Sequence, residues 1–356
     1  MVARESWPKR HPILVLVGVN VVLLGFFAAL AEIGLRLWVP YNPGYYVVLR
    51  AEPGVYEYPF GRLLRNSHSF PDDEFDLASP KPRVGYFGDS VTRGVGAGHG
   101  YRIQDVLETL HPEVEHWTFE VAVNGIDQKT HPRILEIAEK YQLAEVVYLL
   151  NLNDLLPTQK PEGGETGSTF RAWRQRLKFL DRLRGRSYLY SALRFRFAEL
   201  MLSFGYGHTG WKAAELYPEQ NTEIVRETAE RVTALADAVA AQGRRFRVVL
   251  LPYEMQISDE AARTYAAAGV AWESGFLERS TQKAIEAALP DRIEVVDAYW
   301  AFVDPADEAG SRTANGVGEY YVYNRGDKLD WNHPNRDGCR KIAEYLARLG
   351  DPIARR

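Results

Sequence analysis

Residues 84–91, Val84-Gly85-Tyr86-Phe87-Gly88-Asp89-Ser90-Val91, decide how the chain is read. Val84 to Phe87 form a short apolar run of strand length, and Gly88 lets the backbone turn tightly after it. A serine at a strand-to-helix turn stands outside the carboxyl end of its strand, where open parallel sheets gather their reactive groups. Glycines at 94, 96, 98 and 100 follow. Taken alone, Gly88-Asp89-Ser90 fits equally well a turn in which Asp89 or Ser90 caps the next helix.

Downstream of this stretch, short apolar runs recur at Phe119 to Val123, Val146 to Leu150, Phe246 to Leu251 and Ile293 to Val296. Helical patterns lie between and after them, over Ile103 to Leu110, Pro132 to Tyr141, Thr222 to Ala241, Glu273 to Ala288 and Arg340 to Leu349. Strands alternating with helices specify βαβ units, hence an α/β domain whose parallel sheet is covered on both faces. No internal repeat or low-complexity tract interrupts them.

Near the C-terminus stands Asp330-Trp331-Asn332-His333-Pro334-Asn335, leading through Gly338 into the last helix. A serine hydroxyl is a weak nucleophile and needs a base, which a histidine of near-neutral pKa supplies. A carboxylate three residues earlier can hold that imidazole in one tautomer, so a single loop can deliver Asp330 and His333 together. Asp327 competes with Asp330 for this part. Two further strand ends carry possible donors to an oxyanion: the Gly125 amide in Val123-Asn124-Gly125, and the Asn153 side chain in Asn151-Leu152-Asn153-Asp154. The Ser90 amide would be a third.

Four such blocks in this order resemble the SGNH or GDSL hydrolases, over about residues 83 to 349 apart from an arginine-rich insertion. The resemblance implies a flavodoxin-like three-layer α/β/α sandwich around a five-stranded parallel sheet. It also implies Ser90 as nucleophile, His333 as base, Asp330 as its partner, and the Ser90 amide, Gly125 amide and Asn153 side chain as oxyanion donors. No metal or organic cofactor is implied. Two places depart from the family pattern: its third block reads Gly-x-Asn-Asp, whereas Asn151 holds the glycine place here, and the second block, around Gly125, is compressed.

The segment 157–218 is too long for a simple connection. Within it, Phe170 to Phe204 carries eight arginines and Lys178 against only Asp181 and Glu199, with Trp173, Leu177, Leu180, Tyr188, Leu193 and Phe197 interleaved at helical spacing. This is either an amphipathic element that meets lipid headgroups or a membrane-protein partner, or an inserted helical pair packed on the domain.

At the other end, every residue from Pro12 to Ala31 except Asn20 is apolar or glycine. About 20 helical residues span about 30 Å, the thickness of a bilayer core. A cleaved signal peptide is the rival, with Ala29-Leu30-Ala31 as its cleavage-like site, but the run exceeds the usual h-region of about 7 to 15 residues. An uncleaved anchor is therefore expected. Arg4, Lys9 and Arg10 before the span, against Arg36 and Arg50 after it, orient the N-terminus to the cytoplasm and the body outside, in the periplasm of a Gram-negative cell. The expected organisation is residues 1–39 as cytoplasmic N-terminus and anchor, 40–82 as a Pro/Gly/Tyr-rich tether, and 83–356 as the catalytic-type domain carrying the insertion. The bilayer is the expected partner of residues 12–39.

Composition fits these parts. The 356 residues are 46% hydrophobic and 25% charged, enough for a real core, and a mean hydropathy of −0.30 excludes a protein made mainly of spans. With 43 basic against 47 acidic residues, the net charge of −4 gives no pull toward nucleic acid. Cys339 is the single cysteine, so no internal disulfide can form. The expected activity is a membrane-anchored esterase or acyltransferase working on an ester-bearing envelope substrate such as an O-acetylated polysaccharide. The alternative is a non-catalytic subunit that binds or caps a membrane complex.

Overall fold

The computed structural model describes residues 10–38, 49–52, 55–58, 61–63, 65–121, 130–155, 183, 187–203, 216–217, 219, 222–267, 270–306, 312–322 and 330–350. In chain order the helices and strands are α1 (Pro12–Trp38), β1 (Leu49–Glu52), β2 (Val55–Tyr58), β3 (Gly61–Leu63), β4 (Arg83–Gly88), α2 (Ser90–Arg93), α3 (Ile103–Leu110), β5 (Glu115–Glu120), α4 (Thr130–Lys140) and β6 (Glu145–Leu150). They continue with α5 (Tyr188–Ser203), α6 (Thr222–Ala241), β7 (Arg245–Leu250), α7 (Glu254–Ile257), α8 (Asp259–Ala267), α9 (Ser274–Leu277), α10 (Ser280–Ala288), β8 (Glu294–Asp297) and α11 (Arg336–Leu349).

Strands β4 to β8 form one parallel sheet in the order β5-β4-β6-β7-β8, the flavodoxin-like order. Alternate residues of each strand feed opposite layers. Val146, Tyr148, Leu150, Val248 and Leu250 face the core under α4, α6 and α10, whereas Val147, Leu149, Val249 and Leu251 face the core under α3 and α11. Burial on both faces is what makes these strands near-continuous apolar runs. The chain leaves β4 with a neighbour strand on each side, so Ser90 sits at the point where strand order reverses.

Several boundaries differ from the sequence expectation. The second strand of the sheet is Glu115–Glu120, shifted toward the N-terminus from the expected Phe119 to Val123. Its polar residues are accommodated because Ser79 Oγ donates to Glu115 Oε1 at 2.9 Å and His116 Nδ1 hydrogen-bonds the Tyr86 hydroxyl at 3.0 Å. The expected helix over 273–288 is two helices, α9 and α10, broken at Arg279, whose φ is +59°. Arg279 is buried there, paired with Asp297 and stacked over Tyr299 at 3.7 Å, and these contacts offset the turn's strain. The last helix begins at Arg336, not 340, because the Asn335 side chain caps it by accepting from the amides of Asp337 and Gly338.

Strands β1 to β3 form a small antiparallel sheet within the stretch expected to be a Pro/Gly/Tyr-rich tether. After it, residues 65–82 run beside the domain. Phe70 and Phe75 are buried there, Phe75 stacked on Trp117 at 4.4 Å and Phe70 edge-on to Phe119 at 4.8 Å.

Helix α1 is long and apolar enough to cross a membrane and is not packed inside the protein. Ile13, Leu16, Val22, Phe26, Phe27 and Ile33 are all more than half exposed. Near its C-terminal end, Glu32 accepts the amide N–H groups of Tyr188 (3.0 Å) and Leu189 (2.7 Å) and the Ser187 hydroxyl (2.9 Å), joining α1 to the first turn of α5.

Candidate active site

Ser90 opens α2 directly after β4, and as the first residue of a helical turn its amide N–H has no acceptor within the helix. The turn is tight. A Cβ on Gly88 would lie 2.3 Å from Thr92 Oγ1 and 2.9 Å from the Leu149 carbonyl oxygen, so no larger residue fits beneath the serine. Asp89 is buried and holds the turn: its Oδ1 accepts the Val91 amide at 2.8 Å, and its Oδ2 accepts the Asn153 Nδ2 at 3.0 Å and lies 3.3 Å from Ser90 Oγ.

The loop 330–335 reaches the same spot from the far end of the chain. His333 Nε2 is 2.8 Å from Ser90 Oγ, and His333 Nδ1 is 2.9 Å from both carboxylate oxygens of Asp330. Nδ1 must carry the hydrogen to satisfy a carboxylate, which leaves the Nε2 lone pair to accept from the serine hydroxyl. Asp330 and His333 are 2% and 6% exposed while Ser90 is only half-buried, so the relay runs from a dry interior to an accessible oxygen.

Backbone bonds fix this loop. Val322 N–H donates to the His333 carbonyl at 3.0 Å, Asn335 N–H to the Tyr320 carbonyl at 2.9 Å, and Glu254 N–H to the Trp331 carbonyl at 2.9 Å. A Cβ on Gly96 would sit 2.1 Å from the Pro334 carbonyl oxygen, so the glycine-rich stretch after Ser90 lets the two loops touch.

Thus Ser90, Asp330 and His333 come together, with Asn153 joined to them through Asp89. Gly125 and Asp327 lie outside the described residues. The Asn153 amide is exposed and gives one of its two hydrogens to Asp89. Asn151, at a position that departs from the family pattern, is fully buried at the end of β6, where its N–H lies 3.4 Å from Asp154 Oδ2. Asp89 escaped the sequence reading as a site residue, since its signal there was only that of a possible helix cap.

A second charged group lies behind the serine loop. Asp72, His99 and Asp105 bring one ligand atom each within 4.8 Å of one another, a spacing a metal could use. The Arg102 guanidinium already meets both carboxylates, at 2.8 Å from Asp72 Oδ1 and through its Nε at 2.8 Å from Asp105 Oδ2, and donates to the Pro71 carbonyl as well. The positive charge this cluster calls for is supplied by the chain itself. Burial pushes the Cys339 thiol up to about 12, so the lone cysteine is no nucleophile.

The open flavodoxin-like α/β sheet thus carries a Ser–His–Asp relay at its switch point, an arrangement able to activate a serine hydroxyl for attack on a carbonyl. No protein-family model matches the chain, and none of the curated proteins matches it. Among solved structures it is similar to a lipolytic protein of the G-D-S-L family from Desulfitobacterium hafniense DCB-2, at 12% identity over 76% of this chain and 99% of that one, with a TM-score of 0.39. A second G-D-S-L lipolytic protein, from Veillonella parvula DSM 2008, is similar at 12% identity over 75% and 97%, TM-score 0.39. Est24, a carbohydrate acetylesterase from Sinorhizobium meliloti, is similar at 11% identity over 76% and 100%, TM-score 0.35. At these values the chemistry has to be read from the residues themselves.

Proposed function

We propose that the chain is a membrane-anchored, extracytoplasmic serine esterase or acyltransferase whose substrate is an ester of the cell envelope, such as an O-acetylated polysaccharide. The relay from Asp330 through His333 to a half-buried Ser90 hydroxyl carries this reading. Ser90 Oγ attacks the ester carbonyl while its proton passes to His333 Nε2. Asp330 holds the imidazole in place and favours the imidazolium that forms. The tetrahedral oxyanion meets the Ser90 amide, the Asn153 side chain and the Gly125 amide. As the C–O bond breaks, His333 Nε2 returns the proton to the leaving alcohol and an acyl-Ser90 remains. Water or a sugar hydroxyl then attacks the acyl-enzyme, giving its proton to His333, and Ser90 is released.

Helix α1 is the anchor in this reading, with the N-terminus cytoplasmic and the domain periplasmic. The test is labelling of Ser90 by a fluorophosphonate probe together with turnover of an aryl acetate, both lost in Ser90→Ala. A second reading, a non-catalytic subunit of a membrane complex, draws support from the exposed Leu193, Phe197 and Leu200 spaced along one face of α5. An unlabelled Ser90 in protein that co-purifies with membrane partners would select it.

A further inference from the structure

Behind the Asp330–His333 loop lies a row of three buried oxygens that the mechanism above does not use. The Tyr265 hydroxyl, on α8, is 2.7 Å from Glu254 Oε2 on α7 and 2.7 Å from the main-chain carbonyl oxygen of Asp330. Glu254 and Tyr265 are 1% and 0% exposed. A phenol has one hydrogen, and neither a carboxylate nor a carbonyl has any to give. If Glu254 were ionised, one of these two contacts would be a bare oxygen–oxygen approach at hydrogen-bond distance. Two hydrogens satisfy both, and the second can sit only on the carboxyl.

We propose that Glu254 is a neutral carboxylic acid that positions the catalytic loop, its Oε2–H donating to Tyr265 and the Tyr265 O–H donating to the Asp330 carbonyl. The other carboxyl oxygen accepts the Gly318 N–H, from the segment that also pairs with His333 and Asn335. Of the groups facing Glu254, the acidic Asp330 and Glu260 oppose its ionisation, while the Gly318 N–H and the Tyr265 hydroxyl, as hydrogen-bond donors, favour it. Tyr321 is a further buried phenol beside it. Burial first, and then these carboxylates, push the Glu254 carboxyl up to about 7. Above that point the new carboxylate claims the Tyr265 hydrogen, the Asp330 carbonyl loses its donor, and a second negative charge stands beside the Asp330–His333 pair. Glu254 is thus a positioning residue with a switch near neutral pH. Its kinetic consequence rests on the esterase reading; its protonation does not.

Thermal unfolding of the full-length chain in detergent, wild type against Glu254→Gln, tests the protonation without using activity. A carboxyl raised from 4.5 to about 7 holds its proton folded and sheds it unfolded, so wild-type stability falls as pH rises between those values. Glutamine donates and accepts in the same directions and does not titrate. The unfolding constant of wild type relative to E254Q should therefore rise on the order of a hundredfold across this window, and a ratio that stays flat overturns the proposal. The loop coupling is read from aryl-acetate turnover. Tyr265→Phe should lower kcat about fivefold below pH 7 and lose nothing more above it, so that its kcat relative to wild type climbs through neutrality. A Tyr265→Phe ratio that does not change with pH removes the positioning role. A wild type that turns over no ester defeats the esterase reading alone, and the unfolding arm still decides whether Glu254 is protonated.

Discussion

Residues 89–105 serve two buried charge clusters that end differently. Arg102 is 1% exposed and its guanidinium is spent on Asp72, Asp105 and the Pro71 carbonyl, while Asp72 Oδ2 also accepts the Thr118 amide at 2.6 Å. The Asp72 and Asp105 carboxylates are both answered by the same buried guanidinium. The Asp330–His333 pair is equally dry, but its last hydrogen bond goes to a serine oxygen at the surface of the site. A closed cluster can only hold the chain together. An open one has a proton to move and an atom to move it from.

The comparison can be broken from either side, and the largest expected effect is at the open end. Ser90→Ala should cut aryl-acetate turnover by at least about 10⁴-fold with the melting temperature unchanged. Residual activity near wild type would remove Ser90 from the chemistry. Asp330→Asn keeps the shape of the loop and disturbs the imidazole tautomer, so kcat should fall about 10³- to 10⁴-fold. Rates within tenfold of wild type would show that another carboxylate orients His333, with Asp327 the first to examine.

At the closed end the order of effects reverses. Arg102→Met strands the buried Asp72 carboxylate and the partly buried Asp105 and should cost about 3–5 kcal/mol of stability in a denaturant titration, while kcat per folded molecule stays close to wild type. A stable Arg102→Met protein with a collapsed kcat would mean that the two clusters work as one. The smallest of these effects belongs to Asn153→Ala, which removes a proposed oxyanion donor and should lower kcat about 10²-fold with little change in KM. An unchanged kcat would leave Asn153 as a mere partner of Asp89.

Much of the open cluster could be read from the chain because its parts are local. Gly88-Asp89-Ser90 follows an apolar run, and Asp330 and His333 share one loop at a spacing that lets a carboxylate meet an imidazole. The closed cluster left no such trace, since Arg102 meets Asp72 from thirty residues away, and a lone arginine between Tyr101 and Ile103 looks like any solvated charge. The polar start of β5 was hidden for the same reason: Glu115 and His116 are tolerated in a strand only because Ser79 and Tyr86 come to meet them. Arg279 interrupts a helical pattern through contacts with residues 297–299 that no window of sequence contains.

Periodicity implied the α/β class of fold and the apolar helix long enough to cross a membrane, and the motifs at Gly88-Asp89-Ser90 and Asp330 to His333, with the family they resemble, pointed to the serine, histidine and aspartate that meet. These follow from local rules: strand and helix periods, turn chemistry, and the length an apolar run needs to match a bilayer. Only the tertiary structure decided which charges are closed, that Asp89 ties Ser90 to Asn153, and that Glu254 and Tyr265 stand under the Asp330 carbonyl. Each of these depends on burial and on partners distant in sequence. Burial is what turns an ordinary glutamate or arginine into a group whose every hydrogen must be accounted for.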